Sequence, residues 1–257
     1  MKSISRLVHP KTGQLVDQAE IIFNSDEFDT VHEDEWKGEV DPEGYSRLKE
    51  KPWKDRYEYE SKLILQIIKD NPKIKNVLEL GSGPGVLSQY ILSEHPNLNY
   101  HLVDKPYAEQ YFRENNFKGT FFIKDLANKF NTDGLLDNYD LVITNDFLEH
   151  VFNPSIIVQT IHKLTYKDSI YFISNPNWRM GHQWVYRGLF DFDNFLYFLY
   201  THKFKVMGFW GSKLKTPPFP RIGSETLLPE KNLTDWNHYF MFKHRTEDIE
   251  TYDFEQN

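Results

Sequence analysis

Val77-Leu78-Glu79-Leu80-Gly81-Ser82-Gly83-Pro84-Gly85-Val86-Leu87-Ser88 reads as a buried strand, a sharp glycine turn and the opening of a helix. Val77, Leu78 and Leu80 form the short apolar run of a strand covered on both faces. Gly81, Gly83 and Gly85 let a ligand approach the main chain with no Cβ in the way. Val86, Leu87, Tyr90 and Ile91 then repeat at helical spacing until Pro96 stops the helix. A strand feeding a glycine turn and a helix N-terminus presents free N–H groups to a crevice above the strand ends, the layout of a nucleotide-type site. The bland alternative is a glycine-rich turn with no ligand.

The spacing narrows the ligand. The dinucleotide fingerprint is G-x-G-x-x-G, whereas here the third glycine comes one residue early. Glu79 also stands two residues before the first glycine, where it suits a cationic ligand with an amino group better than a pyrophosphate. Asp104, 19 residues beyond Gly85, follows the strand-like Tyr100-His101-Leu102-Val103. A carboxylate at that distance in a βαβ unit can accept from both hydroxyls of a ribose. Its other reading is the N-cap of a helix starting near Pro106.

Glu79 to Gly85 resembles motif I of the class I S-adenosylmethionine-dependent methyltransferases, and the resemblance extends over about Arg56 to His244. It implies an α/β fold: a Rossmann-like, seven-stranded, mostly parallel sheet with helices on both faces and an antiparallel last strand. The cofactor implied is S-adenosyl-L-methionine. Motif I would hold it through Glu79, Gly81, Ser82, Gly83 and Gly85, and the next strand through Asp104 and Lys105. After the strand Thr120-Phe121-Phe122-Ile123, Asp125 matches the acidic residue that meets the adenine amino group, and Leu126 the apolar residue that packs on the ring. The run Tyr139 to Val151 resembles motif IV of the methyltransferases that O-methylate ubiquinone precursors, where a Leu-Glu-His-Val ending recurs. Asn145 and Asp146 would then lie near the methionine part of the cofactor. Asp146 is also placed to cap the short helix that follows. Asn145-Asp146-Phe147-Leu148 lacks the two prolines by which amide and amino methyltransferases hold a nitrogen, which favours an oxygen acceptor on a small molecule.

Proton removal from a hydroxyl or an ammonium needs a base. His150 is the candidate by position and His182 the next, with a purely structural histidine as the other reading. No histidine–carboxylate pattern has metal-ligand spacing, so no metal is expected. Trp178, Arg179, His182, Trp184, Tyr186 and Arg187 crowd the segment after the fifth strand, Ser169 to Ile173. Loops beyond strand C-terminal ends line the crevice of open α/β sheets. Trp53, Tyr57, Trp178, Trp184, Tyr186 and Arg187 are therefore candidates for an acceptor pocket, with plain aromatic packing as the alternative.

Organisation follows. Residues 1–52 form an N-terminal extension, either a cover over the site or a solvated arm. Ala19 to Phe23 within it suggests a short strand. Residues 53–246 form the methyltransferase domain, with 178–202 and the Pro/Gly-rich 211–235 as acceptor-side elements. Residues 247–257 form an acidic tail. The 257 residues carry a net charge of −8 and no cysteine. That balance argues against a large nucleic-acid interface. With neither a membrane-length apolar run nor a signal-peptide h-region, the expectation is a cytoplasmic protein. The sequence leaves the oligomeric state open.

Overall fold

The computed structural model describes residues 6–8, 15–17, 51–124, 126, 131–148, 151, 154–176, 192–212, 220–221 and 237–244. The expected strand at 19–23, the loop 178–190 and the tail lie outside them.

Two short strands, β1 (Arg6–Val8) and β2 (Leu15–Asp17), pair antiparallel as a separate two-stranded sheet. Helix α1 (Lys51–Asp70) leads into the main unit. There follow β3 (Asn76–Leu80), α2 (Val86–Glu94), β4 (Asn99–Asp104), α3 (Pro106–Glu114), β5 (Thr120–Ile123) and β6 (Tyr139–Thr144). Next come α4 (Pro154–Lys163), β7 (Thr165–Pro176), α5 (Phe192–Thr201), β8 (Phe204–Ser212), β9 (Pro220–Arg221) and β10 (Asn237–His244).

The main sheet has the order β5-β4-β3-β6-β7-β10-β8-β9. From β3 the chain moves outward through β4 to β5, then returns to place β6 on the other side of β3. This reversal opens a crevice above the C-terminal ends of β3 and β6, where Leu80 stands beside Thr144. Strands β3 to β7 are parallel along this order, and β10 is antiparallel to both β7 and β8.

The sheet therefore carries eight strands, one more than the sequence reading expected. Pro220–Arg221, inside the stretch read as an irregular excursion, pairs with Phe209 and Trp210 as an edge strand. Two residues have no periodicity of their own, and a proline is tolerated at a sheet edge. β7 also begins four residues ahead of the expected Ser169, because Thr165–Asp168 is too polar to read as strand.

Both faces of the sheet are buried, so its strands are apolar on successive residues. Val77, Tyr100, Leu102, Leu141, Ile143 and Phe172 pack with Leu63, Ile64, Ile67 and Ile68 of α1 and with Leu87, Ile91 and Leu92 of α2. Leu78, Leu80, Val103, Val142, Tyr171 and Ile173 belong to the opposite core, with Ile157, Val158 and Ile161 of α4 and Phe195 and Leu199 of α5. Burying such a side chain contributes on the order of 1.5–3 kcal/mol.

His101, buried on β4, is set into this second side. Its Nδ1 lies 2.6 Å from the Tyr139 hydroxyl, and its ring packs against Phe122. The Tyr139 oxygen also accepts from the Leu136 N–H at 3.1 Å, which leaves its own proton available to a neutral His101 ring at Nδ1. That arrangement needs a neutral ring, and burial lowers the His101 pKa from the ordinary 6.5. The unfolded chain then binds the proton more readily than the folded one. The stabilisation is complete above about pH 6.5 and is lost as the pH falls below it. In urea titrations from pH 8 to 5, His101→Gln is expected to flatten the acid-side loss of stability relative to wild type. An identical slope in the variant shows that His101 is not part of it.

Candidate active site

The glycine turn leaves β3 in left-handed backbone conformations, with φ of +65° at Gly81 and +52° at Gly83. The turn is fastened to β4: the Gly81 and Ser82 N–H groups both donate to the Val103 carbonyl, at 3.0 and 3.3 Å. A Cβ on Gly81 would fall 2.2 Å from the Phe147 ring, so the loop after β6 presses directly on the turn. A Cβ on Gly83 meets nothing within 4 Å. Among the three glycines of the turn, that one faces open space. Gly85 precedes α2 as its N-cap residue, with φ +82°.

Asp104 closes the turn from the end of β4. Its Oδ2 accepts from the Gly83 N–H at 2.6 Å and its Oδ1 from the Lys105 N–H at 2.7 Å. The N-cap of α3 is Lys105, with Pro106 opening the helix and no side-chain cap, so Asp104 is not the helix cap. A carboxylate offers about four lone-pair sites, and those two bonds leave others for a ligand. Burial pushes the Asp104 carboxyl up to about 6 against the pull of its two N–H donors. Ser82 is buried, with its hydroxyl donating to the Gly83 carbonyl at 3.2 Å.

Glu79 is 2% exposed and accepts a 2.8 Å bond from the Tyr100 hydroxyl. Burial, countered by Tyr100 and reinforced by Asp104 and Glu60, raises its pKa to about 8. Tyr100 was not singled out from sequence. Its signal was the strand register, which places it opposite Val77, two residues from Glu79.

Across the crevice, Asn145 and Asp146 follow β6, with Asp146 at φ +45°. The Asn145 Nδ2 donates to Glu60 Oε2 at 2.8 Å, and Glu60 Oε1 accepts from Arg56 Nε at 2.6 Å. Arg56 pairs through its other nitrogen with Asp146 Oδ2. The Ser174 hydroxyl stands 2.6 Å from Asn145 Oδ1 and 2.7 Å from Asp146 Oδ1, and accepts from the Asp146 N–H at 2.9 Å. Five side chains thus close a ring that joins α1 to the ends of β6 and β7. Glu60 and Ser174 were missed by sequence reading. For Glu60 a signal existed: it lies four residues before Ile64, a carboxylate on the apolar stripe of α1.

Tyr57 on α1 is half-buried and packs beside the α1–α2 core. Burial raises its pKa, with the Arg56 cation pulling the other way. Leu126 is buried in the core that contains Leu80 and Val103. Trp53 lies in the first turn of α1. Asp125, His150, His182, Trp178, Trp184, Tyr186 and Arg187 lie outside the described residues. Among the described residues, no group of three histidines or carboxylates is arranged to hold a metal ion.

Residues 53–213 match the methyltransferase domain family. The chain belongs to this family, within the class I S-adenosylmethionine-dependent methyltransferases. Residues 53–213 are accordingly a methyltransferase domain. A solved S-adenosylmethionine-dependent methyltransferase from Clostridium acetobutylicum superposes with a TM-score of 0.53 at 11% identity, over 74% of this chain and 92% of that one. The plantazolicin methyltransferase BpumL, in complex with a monoazolic desmethylPZN analog and SAH, gives 0.54 at 14% identity, over 88% of this chain and 99% of its own. At such identities the likeness is one of fold. The ribosomal RNA small subunit methyltransferase C of Buchnera aphidicola is 30% identical over 122 residues, which are 45% of this chain. The chain spans about a third (35%) of that relative's length.

The raised Glu79 pKa has a consequence for the free protein. Between its ordinary value of 4.5 and about 8 the unfolded chain is ionised while the folded one holds the proton. This contribution to stability is complete below pH 4.5 and is lost as the pH rises through about 8. Glu79→Gln, a mimic of the protonated group, is expected to lose less stability than wild type between pH 5 and 8 in urea titrations of the ligand-free protein. Parallel curves would show that Glu79 ionises normally in the fold.

Proposed function

We propose that the chain methylates a small-molecule acceptor at oxygen, in a cytoplasmic setting, with the two sides of the crevice dividing the work. The observation that carries this reading is the open space over Gly83, beside the Asp104 carboxylate that accepts the Gly83 N–H. A nucleoside fits such a seat: the backbone of Gly81, Ser82 and Gly83 approaches the ligand, and Asp104 keeps lone pairs for ribose hydroxyls, with Lys105 beside it. Gly85 starts the helix whose N-terminus faces the ligand. Asp125 and Leu126 complete the adenine end. Asn145 and Asp146 serve the amino-acid end, supported by Glu79.

S-adenosylmethionine supplies an activated methyl group on a sulfonium, and the protein's part is alignment and electrostatics. The acidic groups Glu79 and Asp104 on one side of the crevice, with Glu60 and Asp146 sharing Arg56 on the other, favour a cationic ligand over an anionic one. Trp53, Tyr57, Trp178, Trp184, Tyr186 and Arg187 line the acceptor side, and residues 1–52 cover it. His150, which follows the β6 loop, takes the acceptor proton, with His182 as the second candidate.

The small-molecule reading is supported by the net charge of −8 and by the proline-free Asn145-Asp146-Phe147-Leu148. One observation favours an RNA acceptor instead, the partial match to a ribosomal RNA methyltransferase. A further rival is a cofactor-binding partner protein of the same fold without turnover. Salt-sensitive RNA binding would support the RNA reading, and cofactor binding with no methylated product in any acceptor pool would support the partner reading.

Calorimetric titration with S-adenosylmethionine, its demethylated product S-adenosylhomocysteine, and NAD as control is expected to show binding of the first two alone. Gly83→Ala carries a left-handed backbone cost of about 1–2 kcal/mol at φ +52°, but its Cβ meets no protein atom within 4 Å, so the variant is expected to fold. It should weaken cofactor binding on the order of tenfold or more by filling the seat. Wild-type affinity in that variant overturns the assignment of the seat.

A further inference from the structure

We propose that Arg56 is the positioning residue of the site: it sets the β6 loop over the glycine turn, and thereby the cofactor seat, without itself touching the reacting atoms. This rests on the seat assigned above. The geometry is a chain of contacts. Arg56 bonds Glu60 on its own helix and Asp146 on the β6 loop. Phe147, next in sequence to Asp146, packs its ring where a side chain on Gly81 would be, with Cγ and Cβ only 2.4 and 2.7 Å from that position. Whatever moves Asp146 moves Phe147, and Phe147 cannot move toward Gly81 without displacing the turn.

The β6 loop needs holding. Asp146 adopts φ +45°, which costs a residue with a side chain. Two anchors offset that cost. Ser174, fully buried at the end of β7, takes the Asp146 N–H and shares its one hydroxyl proton between Asn145 and Asp146. Arg56 supplies the other anchor through a guanidinium whose side chain is 13% exposed. The Glu60 side chain is 0% exposed and the Asp146 side chain 12% exposed. Removing the cation leaves these two buried carboxylates facing each other across the α1–β6 contact. Loss of one partner from a buried charge pair is the large effect. The repulsion would push the β6 loop away from α1, carrying Phe147 off the turn. Lysine is not an equivalent, because one ammonium lacks the planar fork that serves both carboxylates.

The test is calorimetric binding of S-adenosylhomocysteine to the full chain, at a temperature well below each variant's melting point. Arg56→Met is expected to bind about tenfold more weakly than wild type, and Arg56→Lys to fall between them. Adding Glu60→Gln to Arg56→Met removes one of the two facing charges while keeping an acceptor for Asn145. The double variant is expected to recover most of the lost affinity. A residue that only stabilised the fold would lower the melting temperature and leave the affinity within about twofold. That result for Arg56→Met, or for Arg56→Lys and the double variant should the methionine variant not fold, overturns the proposal. Failure of the wild type to bind S-adenosylhomocysteine overturns the seat and the proposal together. Normal wild-type binding with indifferent variants overturns the proposal alone.

Discussion

The ring of Phe147 occupies the place of a side chain at position 81, and much of the site depends on that exclusion. It obliges residue 81 to be glycine on steric grounds as well as by its positive φ. It also makes the turn after β3 and the loop after β6 one packed unit, although 66 residues separate them in sequence. The sheet order makes this possible: the reversal between β3 and β6 brings their C-terminal ends side by side. The two loops run on beyond those ends. Each is held from outside, the first by Val103 and Asp104 of β4 and the second by Arg56 of α1 and Ser174 of β7.

The electrostatics of the crevice follow from the same packing. A sheet covered on both faces desolvates whatever polar group stands at its strand ends. Glu79 and Asp104 are held there by single-proton and N–H donors rather than by cations, and both carboxyls are pushed upward in pKa. A ligand that brings positive charge to these groups restores what burial removed. A ligand that brings phosphate adds to the cost. The early third glycine and the acidic strand end therefore express one preference, in backbone shape and in charge.

How much of this could be read from the chain depends on sequence distance. The strands at 77–80, 141–143 and 170–173 were legible because burial on both faces leaves apolar runs, broken in these three only by Glu79. The glycine turn was legible because positive φ demands glycine. Pro220–Arg221 was not, since a two-residue edge strand is defined by its partner, Phe209–Trp210, and by nothing local. The insertion of β10 between β7 and β8 was equally silent, because an antiparallel strand carries the same alternation wherever it pairs.

The polar ring shows where local reading ends. Arg56 and Glu60 are four residues apart, and that spacing is visible as an ordinary helical ion pair on a solvated face. Only the position of Glu60 on the apolar stripe hinted that the pair was buried. The partners that give it meaning, Asn145, Asp146 and Ser174, lie 85 or more residues away. Their side chains obey no period, because each is placed by the end of a different strand. A buried carboxylate on an otherwise apolar helix face must find donors somewhere. In a parallel α/β unit, the nearest free donors are at the strand ends above the crevice. A charged residue that interrupts the apolar stripe of the helix entering such a fold is therefore a pointer to the site.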